Sequence, residues 1–270
     1  MTGTGTAEVG GNAIPFETDT RAMENPSYLA LAHQSALRRQ METVANNLAN
    51  VNTTGFRGER LLFAQFLTPK AGNPGIGGDG GQKMAFVEGI GTFRDTRPGQ
   101  AVKTEAPLDM MINGNAYFVV DTPVGQRFTR DGNFRLDNEG RIVNSEGFAL
   151  LDQNNQAIRL NPNETNIEVT KQGEIVAGNT RVGRIRLVSF VDDQALTRLG
   201  GGLYASTQDP VPADPRAEVH QGLLEGSNVV SVTELTSMLD IVRRYESAQR
   251  ILDSEHERAR KAVERLGRVA

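Results

Sequence analysis

Three kinds of residue in this sequence carry chemistry that catalysis or metal binding would use: its histidines, its paired acids and its glycine-rich turns. His33, His220 and His256 are scattered over two helical stretches and a connecting one, and none has a second ligand or an acid in motif spacing. Asp192-Asp193 has the charge for cation binding or acid–base work, and equally the composition of a polar turn after a strand over Val182–Val191. Gly75 to Gly81 is rich enough in glycine for a phosphate loop, but no strand precedes it and no helix with Gly-Lys-Ser/Thr follows. It reads as a linker. Asp131-Gly-Asn133-Phe-Arg-Leu-Asp137 loosely resembles a calcium loop, yet it lacks the ligand register and the closing glutamate. Asn52-Thr-Thr54 and Asn163-Glu-Thr165 fit a glycosylation pattern that chance supplies often. Cysteine is absent, which removes thiolate catalysis, disulfides and any cysteine-based metal site. No catalytic residue, cofactor or metal is predicted, and an enzyme is not expected.

The most pointed local string is Val44-Ala-Asn-Asn-Leu-Ala-Asn-Val-Asn-Thr-Thr-Gly-Phe-Arg57. Asparagine is a poor residue for a helix interior. Asn46, Asn47 and Asn50 therefore cost stability unless their amides find partners. They fit a frayed, asparagine-capped helix end, or amides that hydrogen-bond across a helix–helix interface and fix its register. A second string, Gln221-Gly-Leu-Leu-Glu-Gly-Ser-Asn-Val-Val230, leads into the last helix.

These strings sit where two helical ends meet a different kind of middle. Near the start, Ala30, Gln34, Leu37, Met41, Val44, Leu48 and Val51 recur at alternating four- and three-residue steps. Near the end, Leu235, Met238, Val242, Tyr245, Gln249, Leu252, His256, Ala259, Val263 and Leu266 do the same. A stripe of about 3.5-residue period is the narrow seam of a coiled coil rather than a broad core face. Asn25-Pro26-Ser27 caps the first helix, which runs to about Asn50 and closes through Asn52 and Gly55. Ser231-Val-Thr-Glu234 has capping-box spacing for the second, which runs to about Leu266.

Between the ends, a short apolar arm over Phe56–Phe66 leads into a glycine-rich linker over 67–83. The central segment, 84–215, reads as an all-β domain. Turns at Asp131-Gly132, Glu139-Gly140, Glu146-Gly147 and Asn154-Asn155 separate strands at Gln126–Arg130, Asn133–Leu136, Arg141–Asn144 and Phe148–Leu151. Further strands are expected at Ile167–Thr170, Glu174–Ala177 and Val182–Phe190, and Pro210 to Pro215 ends the body. The fold class is α+β: a split helical assembly domain, 23–66 with 221–270, around a hairpin-rich body. Residues 1–22, rich in glycine and threonine, are expected to be disordered.

Composition bounds the partners. A chain of 270 residues with 38% hydrophobic and 23% charged residues can bury a real core. A net charge of −4 gives no reason to expect nucleic acid. No run approaches the roughly 20 apolar residues of a membrane span, so no direct membrane insertion is expected. The first 20 residues lack a basic segment and an apolar core, so no cleavable signal peptide is expected.

The sequence resembles the bacterial flagellar axial proteins of the rod and hook. Ala45-Asn-Asn-Leu-Ala-Asn-Val-Asn-Thr-Thr-Gly-Phe56 is similar to their N-terminal signature. Gln221 to Asn228 followed by Arg243-Arg-Tyr-Glu246 is similar to their C-terminal one. Thr92 to Gly99, Pro107-Leu-Asp109, Gly114 to Val119 and Arg127 to Phe134 look like the rod-protein body. Glu225-Gly-Ser-Asn228 and Val182 to Val188 with Leu203-Tyr204 resemble the proximal-rod, F-type member more than the distal-rod, G-type one. Members usually begin a few residues before the first helix. Residues 1–22 are therefore read as lying upstream of a true start at Met23, or as a lineage-specific export tail.

The resemblance implies a structural subunit that assembles helically, with itself and other rod subunits, into the hollow shaft of the flagellar basal body. It also implies passage through the flagellum-specific type III export apparatus. The implied assembly residues are Leu37, Met41, Val44, Asn46, Asn47, Leu48, Asn50, Val51, Asn52, Gly55 and Phe56, with Glu225, Ser227, Asn228, Leu235, Met238, Val242, Tyr245 and Leu252. Thin seams predict helices that order only on assembly. Two other classes make different demands. A wall hydrolase needs converging carboxylates or a metal, and a module on a trimeric coiled-coil stalk needs heptads at one end only.

Overall fold

A computed structural model describes residues 20–68, 84–161 and 166–268. Two long helices, α1 (Thr20–Ala49) and α2 (Ser231–Gly267), flank a middle built from antiparallel strands. The α+β expectation holds. Helix α1 begins before Asn25-Pro26-Ser27, so these residues lie inside it rather than capping it. Arg21, Ala22, Met23 and Glu24 are good helix formers, and Pro26 forfeits one amide bond rather than a turn. The expected disorder over 1–22 therefore fails for its last three residues, and the first 19 lie outside the described residues.

The helices run antiparallel against each other within one chain. Gln34 Nε2 donates to Gln249 Oε1 at 2.6 Å, and Asn47 Nδ2 donates to Glu234 Oε2 at 3.3 Å, so the start of one lies beside the end of the other. Leu37, Val44 and Ile241 are buried between them, with Met41, Met238 and Tyr245 packed alongside. On α1 the seam is the expected one. On α2 it is shifted by one residue at every second position: Ile241 and Ala248 are buried where Val242 and Gln249 were expected, while Met238, Tyr245 and Leu252 keep their places. Leu235 is 49% exposed. The sequence offers two overlapping apolar stripes, and α1 presents a single face to receive one of them. The expected capping box also fails. Val230 is the N-cap, without a side-chain cap bond, and the Glu234 carboxylate meets Asn47 instead.

After α1 the chain forms a long hairpin of β1 (Glu59–Thr68) and β2 (Met84–Arg94), paired from Glu59–Arg94 to Thr68–Met84 with an irregularity after Leu62. The arm expected over Phe56–Phe66 is thus a strand from Glu59 on. The expected linker loses residues 67–68 to β1, and 69–83 lie outside the described residues. Residues 84–94 pair with the arm and not with the body. Long-range pairing decided this, because neither strand shows a clean two-residue alternation.

Short strands β3 (Ala101–Lys103) and β4 (Met110–Asn113) lead to the central strand β5 (Tyr117–Thr122) and its hairpin partner β6 (Gly125–Thr129). β5 is buried on both faces, as its unbroken Tyr117-Phe-Val-Val120 run requires. Phe118 and Val120 enter one core with Met110, Ile112, Ile142 and Leu150. Tyr117 and Val119 enter a second with Phe128, Phe190 and Tyr204. The expected meander is present, with strands at 135–136, 142–143 and 149–150. The strand expected over Val182–Phe190 is broken in two. Thr180–Arg184 completes a three-stranded sheet, and Leu187–Ser189 crosses to β5, with buried Ile185 at the step. Nor does the body end at Pro215. Val211–Pro212 pairs with Val188–Ser189, Glu218–Gln221 with β4, and Leu223–Glu225 with β3.

The shifted seam has a measurable signature. Ile241→Ala should destabilise the helix pair by about 2–4 kcal/mol through the cavity it leaves, and Val242→Ala by less than about 1 kcal/mol. Denaturant unfolding followed by helical circular dichroism tests this; equal losses would restore the unshifted register.

Candidate functional site

The residues with catalytic chemistry do not converge. His33 and His256 are exposed on separate helices, and half-buried His220 lies 3.5 Å from Glu218. Asp192 caps the short turn Asp193–Ala195, accepting from the Gln194 amide at 2.9 Å. Asp131 and Asp137 accept from amides in their own turns, those of Asn133 and of Glu139 and Arg141. No group of three potential metal ligands occurs among the described residues. Gly75–Gly81 and Asn163-Glu-Thr165 lie outside them.

Chemistry concentrates instead where both chain ends meet the body. The carboxylate of Glu225 is 1% exposed and sits between two buried arginines. Arg130 Nε donates to Glu225 Oε2 at 2.8 Å, and Arg57 Nη2 to Oε1 at 3.4 Å. The rest of the Arg130 fork is held by the carbonyls of Ile112 (3.0 Å), Gly114 (2.9 Å) and Ala116. Burial pulls Arg130 below the ordinary arginine range, and the Glu225 charge pushes back. Arg57 is less well served: its Nε and Nη1 are buried without a hydrogen-bond partner. The nearby Tyr117 hydroxyl is also unpartnered, and burial pushes its phenol up to about 12.

Backbone contacts complete this joint. The Gly55 amide donates to the Glu225 carbonyl at 2.7 Å. Gly55 has φ +65°, and a Cβ there would stand 2.5 Å from the Arg130 carbonyl carbon. Only glycine fits. The Asn228 side chain accepts from the Gly58 amide at 2.8 Å and donates to the carbonyls of Asp95 and Arg97 at 3.0 and 2.9 Å. Asn47 reads the backbone of Glu59 at both ends of its amide, at 3.0 and 2.8 Å. A second knot fixes the root of the hairpin. Arg94 donates to the carbonyls of Asp193 and Leu196, and Arg198 stacks 3.8 Å from the Phe56 ring centroid. Glu59 lies within 3.6 Å of Arg94 and 3.8 Å of Arg198.

The residues expected at subunit interfaces therefore divide. Leu37, Val44, Asn47, Gly55, Phe56, Glu225 and Leu252 are buried within the chain, and Met41, Met238 and Tyr245 line the intrachain seam. Leu48, Val51 and Val242 are half-buried, and Ser227 and Asn228 line a cleft. Asn50 turns back to the Asn46 carbonyl at 2.8 Å. Asn46, Asn52 and Leu235 face solvent. The cleft, about 780 Å³, opens above the joint between Val51, Asn52, Arg97, Val102 and Val230. Arg57, Arg130, Glu59 and Arg94 were missed as site residues. The detectable signal was charge inside otherwise apolar or glycine-rich strings, as in Gly-Phe-Arg57-Gly and Phe-Thr-Arg130-Asp-Gly.

Three family profiles match along the chain. "Flagella basal body rod protein" covers residues 31–57, "Flagellar hook protein FlgE/F/G D1 domain" 111–177, and "Flagellar basal body rod FlgEFG protein C-terminal" 220–265. The first and last fall on the two sides of the joint. A flagellar basal-body rod protein FlgF of Caulobacter vibrioides is 38% identical over 92% of this chain and 100% of its own length. The chain belongs to the flagellar basal-body rod protein family. Its likeness is to the F type: a FlgF of Mesorhizobium japonicum is 30% identical over 91% of this chain and 99% of its own. A FlgG of Buchnera aphidicola from Acyrthosiphon pisum is 34% identical over 76% and 86%.

Asp131 gives this rod-family joint a pH signature. Its carboxyl, bonded by Thr54 Oγ1, is held above its ordinary value near 3.8, chiefly by burial and against the hydrogen bonds of Thr54 and Asn133. Folding thus favours the neutral acid, so the penalty is absent below the ordinary value and complete above the folded one. Asp131→Asn keeps the acceptor oxygen and should raise the denaturant midpoint at pH 7, with the gain vanishing as pH falls below the carboxylate range. A gain independent of pH would show that ionisation is not its source.

Proposed function

We propose that the outer face of α2 is where this structural rod subunit meets its neighbours, in a helical shaft of the proximal basal body that carries motor torque. One observation carries the reading. Val232 (73% exposed), Leu235, Leu239 (60%) and half-buried Val242 form a second apolar stripe. At 100° per residue it lies about 120° round the helix from the Ile241 seam. The intrachain pair leaves it uncovered, and monomeric proteins rarely leave contiguous apolar surface exposed without a partner for it. Exposed Asn46 and Asn52 extend the same assembly role to the end of α1 and its closing turn. The interface is thus narrower than the full set of signature residues, because the buried ones serve the chain's own joint.

A surface that binds a different surface on the next copy propagates an open filament. The F-type relative, matched over its whole length, supports the proximal position. We place this subunit in the rod as a structural part without catalysis, in contact with other rod subunits and delivered by the flagellum-specific export apparatus. Absence of cysteine suits a chain that crosses redox compartments. Among the described residues no helix is long and apolar enough to cross a membrane.

Leu235→Asp with Leu239→Asp tests the surface without touching the seam. The purified variant should keep the wild-type circular dichroism spectrum and stay monomeric. Cells carrying it should secrete the subunit, stop basal-body assembly at the rod and lose swimming. Complete rods seen by electron microscopy in that strain would exclude the stripe as the assembly face.

A further inference from the structure

Asn113 and Gly114 form the one Asn-Gly pair in the sequence; every other asparagine precedes a residue with a side chain. Asn113 is the last residue of β4, where its pairing with Glu218 ends the ladder, and Gly114 opens the bend that follows. Both are exposed. Among the described residues no hydrogen bond holds the Asn113 side chain or the Gly114 amide. Gly114 has φ +115°, and its carbonyl accepts from Arg130 Nη1 at 2.9 Å.

An unbonded, exposed asparagine amide beside a glycine nitrogen has one reaction open to it without enzyme or cofactor. The Gly114 nitrogen attacks Asn113 Cγ and a C–N bond forms. The old amide bond breaks, and its nitrogen leaves as ammonia with the proton that Gly114 gives up. Water then opens the resulting five-membered succinimide at either carbonyl, giving aspartate or isoaspartate. A following residue with a Cβ crowds the attacking nitrogen, and glycine does not. In isoaspartate the chain runs through the side-chain carbon, so the backbone between 113 and 114 gains a methylene.

Both products reach beyond the bend. Each puts a carboxylate directly across the ladder from Glu218, and like charges in that position are destabilising. Isoaspartate also displaces the Gly114 carbonyl, one of the three that hold the Arg130 fork. Arg130 is buried, and its Nε meets the buried carboxylate of Glu225.

We propose that Asn113-Gly114 is a self-modification site of the β body: it converts to aspartate and isoaspartate, and the lengthened backbone weakens the seat of Arg130. The inference rests on the body alone and is independent of the assembly reading.

Full-length wild-type protein, incubated at neutral and at mildly alkaline pH and then digested, shows the conversion by mass spectrometry. Isoaspartate is counted by labelling with an isoaspartyl methyltransferase. Asn113 should lose its amide several-fold faster than exposed Asn115 and Asn138, and faster still at the higher pH, because the attacking nitrogen must shed its proton. Asn113→Gln, which would need a six-membered ring, should lose the conversion and keep the wild-type denaturant midpoint. An Asn113 amide that lasts as long as those of Asn115 and Asn138 would overturn the site. The structural effect is read by comparing aged wild type with Asn113→Asp, using near-ultraviolet circular dichroism of the buried Tyr117 and Tyr204 during denaturant unfolding. Asn113→Asp adds only charge, so its loss should shrink in salt. Aged chains should unfold at lower denaturant and stay lower in salt. Equal midpoints in salt would overturn the effect on Arg130.

Discussion

A single buried carboxylate organises this subunit. Glu225 has to be paired with positive charge because it is removed from water, and its two arginine neighbours come from segments far apart in sequence. Arg130 is rooted in the body and Arg57 follows the first helix. The joint that ties the β body to both terminal segments is built around this contact. The Gly55 close approach, the Asn228 clamp and the Asn47 bonds to Glu59 surround it and share its requirement for exact placement of backbone.

With that constraint in place, the division of labour on α2 follows. One stripe is used within the chain, against α1, and a second remains outside. A helix that is apolar on two faces is uneconomical in a free monomer and sensible in a subunit. Rod-family signatures at residues 31–57 and 220–265 bracket the joint. The family's sequence hallmark thus coincides with an intrachain latch. The body holds two apolar cores, and the helix pair a smaller cluster outside them.

Much of this was legible in the residues, for reasons that stay local. Helical ends showed as heptad steps, and the meander as glycine turns at short intervals. Errors arose where a choice depended on something far away. Val242 and Ile241 are both apolar and adjacent, and only the face of α1 selects between them. Ser231 and Glu234 have the spacing of a capping box, but Asn47 reaches Glu234 from another helix. The strand over residues 182–190 looked continuous because its switch of sheets is made by Ile185, which is as apolar as a strand residue should be.

Sequence by itself determined the kinds of element, their order and the family. These rest on periodicity, turn chemistry and composition, each confined to a few neighbouring residues. Tertiary structure decided that Asn47, Asn228 and Glu225 of the two signatures are satisfied inside the chain, which apolar stripe faces inward, and that β1 and β2 form one hairpin. The physical reason is that a buried charge or amide is satisfied by whatever the fold brings near it. For Glu225 the two partners stand 168 and 95 residues earlier in the chain.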